Sequence, residues 1–221
     1  LRVAEKRVLG LIEQHGVSTL LQAQKDLVEY AGLKALNVQK TIPNGTYEFW
    51  DYLDDDFNSY IPVRVRCKMV VNDGLVLHDF TGSDPQVDAA YNIPTGGKRH
   101  PWLTLKVMHF IFSNDRSIPL NHGVFNNITV EAPFGTIVNP EPPAAVEIRS
   151  ATAIRLNEAL VGAMTQAQMG LMPAPSGGIM IPSDLVEQDS KTRARQVMVI
   201  HSLVGGPGSR PGGEGGDGRA T

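Results

Sequence analysis

A single cysteine, Cys67, stands in 221 residues, so neither an intramolecular disulfide nor a cysteine-rich zinc site can form. Such a chain suits a reducing, cytoplasmic setting. Basic charge is not in excess: 20 Lys and Arg against 23 Asp and Glu give a formal charge of -3. Counterion release therefore has no source from which to drive binding to nucleic acid or an anionic membrane. No apolar run approaches the roughly 20 residues that span a bilayer, and no charged-then-apolar leader opens the chain. The expectation is a soluble protein with neither nucleic acid nor membrane as partner. No heptad seam or internal repeat is seen. The initiator methionine is also absent, and Leu1 leads straight into a helical pattern, which suggests a fragment or processed piece of a longer protein.

What is present is a core. Apolar residues make up 42% of the chain, near the level of a packed globular protein. Val8, Leu11 and Ile12 fall at helical spacing, and His15-Gly16 reads as a stop. Thr19 with Gln22 reads as a capping box opening a second helix, with Leu20, Leu27 and Ala31 on its apolar stripe. A helical hairpin over residues 1–43 is expected. Asn44-Gly45 marks a turn, and 46–53 reads as a strand running into Asp54-Asp55-Asp56. Beyond Ile61, Val63, Val65, Cys67, Met69 and Val71 alternate with Arg64, Arg66 and Lys68, which predicts a strand with one buried and one wet face. Asn72-Asp73-Gly74 returns the chain through 75–80 as an antiparallel hairpin. Residues 102–112 and 150–169 read as helices; in the second, Ala159, Gly162 and Ala163 permit close approach by a neighbour. Strands are predicted at 126–132, 179–186 and 195–204. Gly205–Gly218 holds eight glycines in fourteen residues. The expected fold is α+β, antiparallel β-sheet elements with packed helices, the body spanning 44–204 and a glycine-rich segment at 205–221 packed against a partner or the remainder of a longer protein.

Chemistry is sparse at this level. Asp54, Asp55 and Asp56 are the densest carboxylates and weak candidates for a hard cation, but three adjacent acids at a strand end more often form a solvated loop. His78 and Asp79 point to opposite faces of one strand and do not make a dyad, with His78 expected half-exposed beside the positive face and Asp79 accepting backbone donors from the turn after it. His122 lies in a loop from which it can reach a cleft. Ser176-Gly177-Gly178 lacks the Gly-x-Ser-x-Gly elbow of a serine hydrolase. Gly205-Gly206-Pro207-Gly208 lacks the Lys and Ser/Thr of a phosphate loop, so no nucleotide-binding residue is expected. Cys67 faces the apolar side of its strand.

Four stretches, read in order, resemble one family. Asn44-Gly45-Thr46-Tyr47 through Asp51-Tyr52-Leu53-Asp54-Asp55-Asp56 resembles a "DGTY…DYLDDD" segment, and Asp79-Phe80-Thr81-Gly82-Ser83-Asp84-Pro85-Gln86-Val87 resembles "DFTGSDPQV". Ile118-Pro119-Leu120-Asn121-His122-Gly123, with Val138-Asn139-Pro140 through Ala144-Ala145-Val146, is similar to "IPLNxG…LNPxPPAAV". The glycine-rich close resembles "GG…GGDG". The family is hydantoinase B/5-oxoprolinase, related to subunits of acetone and acetophenone carboxylases.

The resemblance implies the C-terminal part of a B-type subunit of an ATP-dependent cyclic-amide hydrolase, with a ketone carboxylase subunit or a non-catalytic assembly module as alternatives. It implies that ATP and Mg2+ are handled by an A-type ATPase partner in a hetero-oligomer. A divalent metal, in some members, belongs to the N-terminal "NDP…GGTH" region of the B-type subunit, which has no counterpart in this sequence. The family's "GGNxxTSQR" stretch is replaced by 147–155, where Thr152 and Arg155 correspond. Substrate-cleft candidates are then Asp79, Thr81, Ser83, Asp84, Asn121, His122 and Arg155; no catalytic residue is named.

Overall fold

The computed structural model describes residues 2–168, 170–176, 178, 184–199, 203–217 and 219–220. Helices α1 (Arg2–His15) and α2 (Val17–Gln39) are present where two helices were expected, separated by Gly16, whose φ of 79° ends the first helix. Helix α1 leaves Val3, Val8, Leu9 and Leu11 exposed, so its packing back onto α2 as a hairpin is not seen. The capping box does not form. Helix α2 starts two residues before Thr19, with Gly16 at its N-cap and no side-chain cap, and Gln22 instead donates to Asp26 one turn on. No residue of α1 is buried. Helix α2 sinks its second half, Ala31, Ala35 and Val38, into the main core.

The central sheet has the order β1-β2-β3-β4, with β1 Gly45–Leu53, β2 Val63–Asn72, β3 Leu75–Asp79 and β4 Ile128–Glu131. Its first three strands are an antiparallel meander. The alternation in β2 holds throughout: Val63, Val65, Cys67, Met69 and Val71 are buried, and the residues between them are half-buried. Asp73 and Gly74, both at positive φ, make the two-residue turn into β3. β4 joins β3 in parallel, which departs from the all-antiparallel expectation. The connection from β3 to β4 carries helix α3 (Pro101–Asn114), and a crossover of that length permits parallel pairing.

Helix α4 (Arg149–Ala167) lies against β1 and β2, with α3 beside it. Gly162 is where the backbone comes closest: a Cβ there would sit 2.2 Å from Cγ of Phe49. The small-residue face expected on this helix therefore meets the sheet. The core forms two clusters, both drawing on β2 and α4. One lies toward α2 and α3 (Met69, Val71, Ile111, Ile128, Met164), the other toward the β1 end and the long loops (Leu53, Val65, Phe80, Ile93, Leu156). Hairpin β5 (Asp184–Gln188) and β6 (Arg195–Val199) turns at Asp189, whose Oδ1 accepts from Lys191 and Thr192. β7 (Leu203–Val204) pairs with β8 (Arg219–Ala220). Residues 179–183 and 200–202, where parts of the expected last strands fall, lie outside the described residues.

The glycine-rich segment meets Ala174 and Gly178 through its backbone. Gly205 N–H donates to Gly178, Gly208 N–H to Ala174, and Ala174 N–H back to Ser209. A Cβ at Gly208 would lie 2.6 Å from the Ala174 carbonyl oxygen, so bare backbone is needed for this approach.

Candidate functional site

The acidic run at the end of β1 is a carboxylate-capped turn. Asp55 Oδ1 accepts from Phe57 N–H at 2.9 Å. Asp56 Oδ1 accepts from Asn58 N–H, Ser59 N–H and Ser59 Oγ–H. The Ser59 donors hold Asp56 below the usual carboxylate range. Phe57, at φ 64°, lies on the Tyr91 ring with centroids 5.3 Å apart. Burial, helped by the charges of Asp55 and Asp56, pushes the Tyr91 hydroxyl up. Among the described residues, no three His, Cys, Asp or Glu side chains converge in a metal-binding group.

The stretch after β3 supports β2. Asp79 faces Lys68 across the ladder with Nζ–Oδ2 at 2.5 Å and also accepts from Thr81 N–H at 2.8 Å. Burial pushes its carboxyl up, and the Lys68 and Thr81 bonds outweigh this and leave it low. The chain then leaves the sheet, and side chains take over as hydrogen-bond partners. Ser83 Oγ accepts from Arg66 N–H and donates to the Arg66 carbonyl. Asp84 Oδ2 accepts from Arg64 N–H at 2.7 Å, while its own N–H donates to the Arg64 carbonyl. Ser83 and Asp84 thus continue the ladder where β3 has ended, satisfying backbone groups that would otherwise be unpaired. Arg66 reaches Glu48 at 2.6 Å and the Thr81 carbonyl. Asp79, Thr81, Ser83 and Asp84 therefore do come together, on the wet face of the sheet among Arg64, Arg66 and Lys68.

His78 corrects an expectation. It is fully buried, with Nδ1–H donating to the Leu103 carbonyl at 2.8 Å, and burial pushes its pKa down to about 4. The register explains this. A two-residue turn pairs Asn72 with Leu75, so His78 falls opposite Met69 on the apolar face, and Asp79 opposite Lys68 on the wet one. The turn length and the strand period already contained this parity. Asp79 does accept from the turn, as expected. Cys67 is likewise buried, which pushes its thiol up.

Arg155 lies on the other side of the sheet, where α4 packs. Its Nη1 meets Asp51 Oδ2 at 2.9 Å, both side chains mostly covered. One helical turn on, Glu158, only 8% exposed, accepts from Ser176 N–H at 2.6 Å, and Ser176 Oγ accepts from Gly178 N–H. Gly178, at φ 95°, lies so close to Arg155 that a Cβ would stand 1.7 Å from Nη2. Asp51, Arg155, Glu158 and Ser176 form a polar cluster under the glycine-rich segment. Sequence reasoning missed Glu158; its signal was a carboxylate three residues after Arg155 on an otherwise apolar helix face. It also missed Asn92, fully buried, whose amide binds Val87, Ala89 and Ala145 and ties the two long loops together.

Asn121 and His122 stand apart from both groups. Asn121 Oδ1 caps a short 3-10 helix (His122–Phe125) by accepting from Gly123 N–H, and its Nδ2 donates to Leu27 of α2. His122 is exposed, with its ring 5.9 Å from that of Phe125.

These clusters define an α+β scaffold whose polar motifs hold loops and strand ends in place, with its histidine and cysteine of the central strands shut away from solvent. The chain belongs to the hydantoinase B/oxoprolinase family, whose sequence model matches residues 1–221. The B-type D-/L-hydantoinase component of a Pseudomonas species (strain NS671) is 28% identical over 187 residues, which is 81% of this chain and 32% of that protein. The fold is shared with the ATP-dependent caprolactamase of Pseudomonas jessenii at a TM-score of 0.71 and 20% identity, covering 90% of this chain and 34% of that one. It is also shared with nucleotide-free acetone carboxylase at a TM-score of 0.66 and 15% identity, covering 95% and 30%. The chain thus spans about a third of the length of these relatives. Among the described residues, no helix is long and apolar enough to cross a membrane.

Proposed function

We propose that this chain forms part of the substrate-side B-type subunit of an ATP-dependent cyclic-amide hydrolase of the hydantoinase/5-oxoprolinase type. The family match over all 221 residues carries the reading. In it, Asp79, Thr81, Ser83 and Asp84 build one wall of the chamber, Arg155 held by Asp51 builds another, and Asn121 and His122 lie toward a separate surface. A divalent metal, where the assembly uses one, falls to the N-terminal region of the B-type subunit. ATP and Mg2+ fall to an A-type ATPase partner in a hetero-oligomer, and the reactive centre is completed by other parts of the assembly.

The test is phosphate release by the complete B-type protein with its A-type partner, with and without a hydantoin, a lactam or 5-oxoproline. Release coupled to ring opening of one of them supports the proposal. ATP hydrolysis indifferent to all of them counts against it. The fold shared with acetone carboxylase favours a second reading, a ketone carboxylase subunit, which bicarbonate-dependent turnover of a ketone would select.

A further inference from the structure

The free edge of the sheet is cationic. β4 is the outermost strand, and a groove of about 600 Å3 is lined by Ile128, Thr129 and Val130 together with Lys98, Arg99, His122 and Asn126. Three consecutive strand residues, whose side chains alternate faces, line one groove only if it runs along the strand's open edge. Phe125 organises the far wall: its carbonyl accepts from Arg99 Nη1 at 2.7 Å, and its ring packs beside His122. Among the described residues, no acidic side chain lines the groove. Among those same residues, Lys98 and Arg99 enter no ion pair, whereas Arg64, Arg66, Lys68 and Arg155 are all paired.

We propose that this groove is a binding site for a small oxyanion, a carboxylate or phosphate group carried by a small molecule. Arg99 keeps most of its donor fork free after the Phe125 bond, Lys98 adds a mobile charge, and Asn126 and Thr129 supply neutral donors. That combination matches an anion with several acceptor oxygens. The volume lies within the range of small-molecule sites. The site is separate from the walls assigned above and does not depend on the hydrolase reading.

The test is titration of the 15N-labelled chain with inorganic phosphate, acetate and succinate at constant ionic strength, with chloride as reference. Saturable shifts of the Thr129 and Val130 amides and the Asn126 side chain are expected, and the anion that saturates them at lowest concentration tells phosphate from carboxylate. Lys98→Gln with Arg99→Gln should weaken binding at least tenfold, while Arg116→Gln, exposed and outside the groove, leaves it unchanged. Shifts that chloride reproduces, or that survive the double substitution, overturn the proposal. So does a double variant that still binds the anions but self-associates, because the cations would then serve to guard a bare strand edge against pairing.

Discussion

Replacing Gly162 by alanine tests how tightly α4 is held against the sheet. The new methyl carbon would stand 2.2, 2.4 and 2.6 Å from Cγ, Cδ1 and Cδ2 of Phe49, about an ångström or more inside the 3.5–4.0 Å of ordinary carbon contact. Rotating the ring does not relieve the shortest of these, because Cγ lies on the rotation axis. Either Phe49 leaves its χ1 well or the helix lifts from the strand. Overpacking of this kind costs about 1–3 kcal/mol, and such close approach belongs at the upper end. Alanine returns about 1 kcal/mol of helix propensity over glycine. The net expectation is a loss of about 2 kcal/mol, or a fall in Tm of roughly 4–8 °C for a chain of this length. Thermal and urea unfolding followed by circular dichroism measure it. The decisive arm is a double-mutant cycle: in a Phe49→Ala background the clash is gone, and Gly162→Ala should be neutral or stabilising by up to about 1 kcal/mol. An equal loss in both backgrounds, or a raised Tm in the parent chain, would refute the reasoning.

Three further expectations rest on other parts of the molecule. His78 is neutral in the fold with its pKa near 4, against about 6.5 when unfolded. The unfolded chain therefore binds the extra proton between those values, and stability falls as pH drops from 6.5 to 4, by on the order of 3 kcal/mol. Urea midpoints at pH 7 and 4.5 should show a smaller drop in His78→Leu, and identical drops would count against the assignment. Cys67, buried at the sheet centre with its thiol pushed up, should resist a thiol-reactive dye in the native chain and label only as fast as the chain opens; rapid native labelling would contradict its placement. Arg155→Met strands Asp51 beneath α4 and should cost about 1–3 kcal/mol, whereas Arg155→Lys, retaining the charge, should cost less; equal stability of all three forms would show that the pair at 2.9 Å contributes nothing.

Much of the fold was legible in the sequence because it is local. The period of two in β2, the positive-φ pair Asp73-Gly74, the break at Gly16 and the apolar face of α4 each depend on residues within a few positions of one another, and each appears where expected. The family resemblance was legible for a related reason, since linear motifs survive in order along the chain. The cleft candidates do not form one group: Asp79, Thr81, Ser83 and Asp84 come together, while Arg155, Asn121 and His122 lie elsewhere. Ser83 and Asp84 look like catalytic or ligand-binding types, yet here they complete the hydrogen bonding of Arg66 and Arg64.

That distinction arises from register and packing, which depend on partners far apart in sequence. Whether β4 runs parallel to β3, how closely Phe49 approaches Gly162, and which carbonyl Arg99 binds are settled only when distant segments meet. The sequence by itself determined the elements, their turns and the family. The tertiary structure decided which polar groups were consumed in holding the scaffold and which, like Lys98 and Arg99, were left with charge to offer, because a side chain's function depends on the partners that folding leaves it.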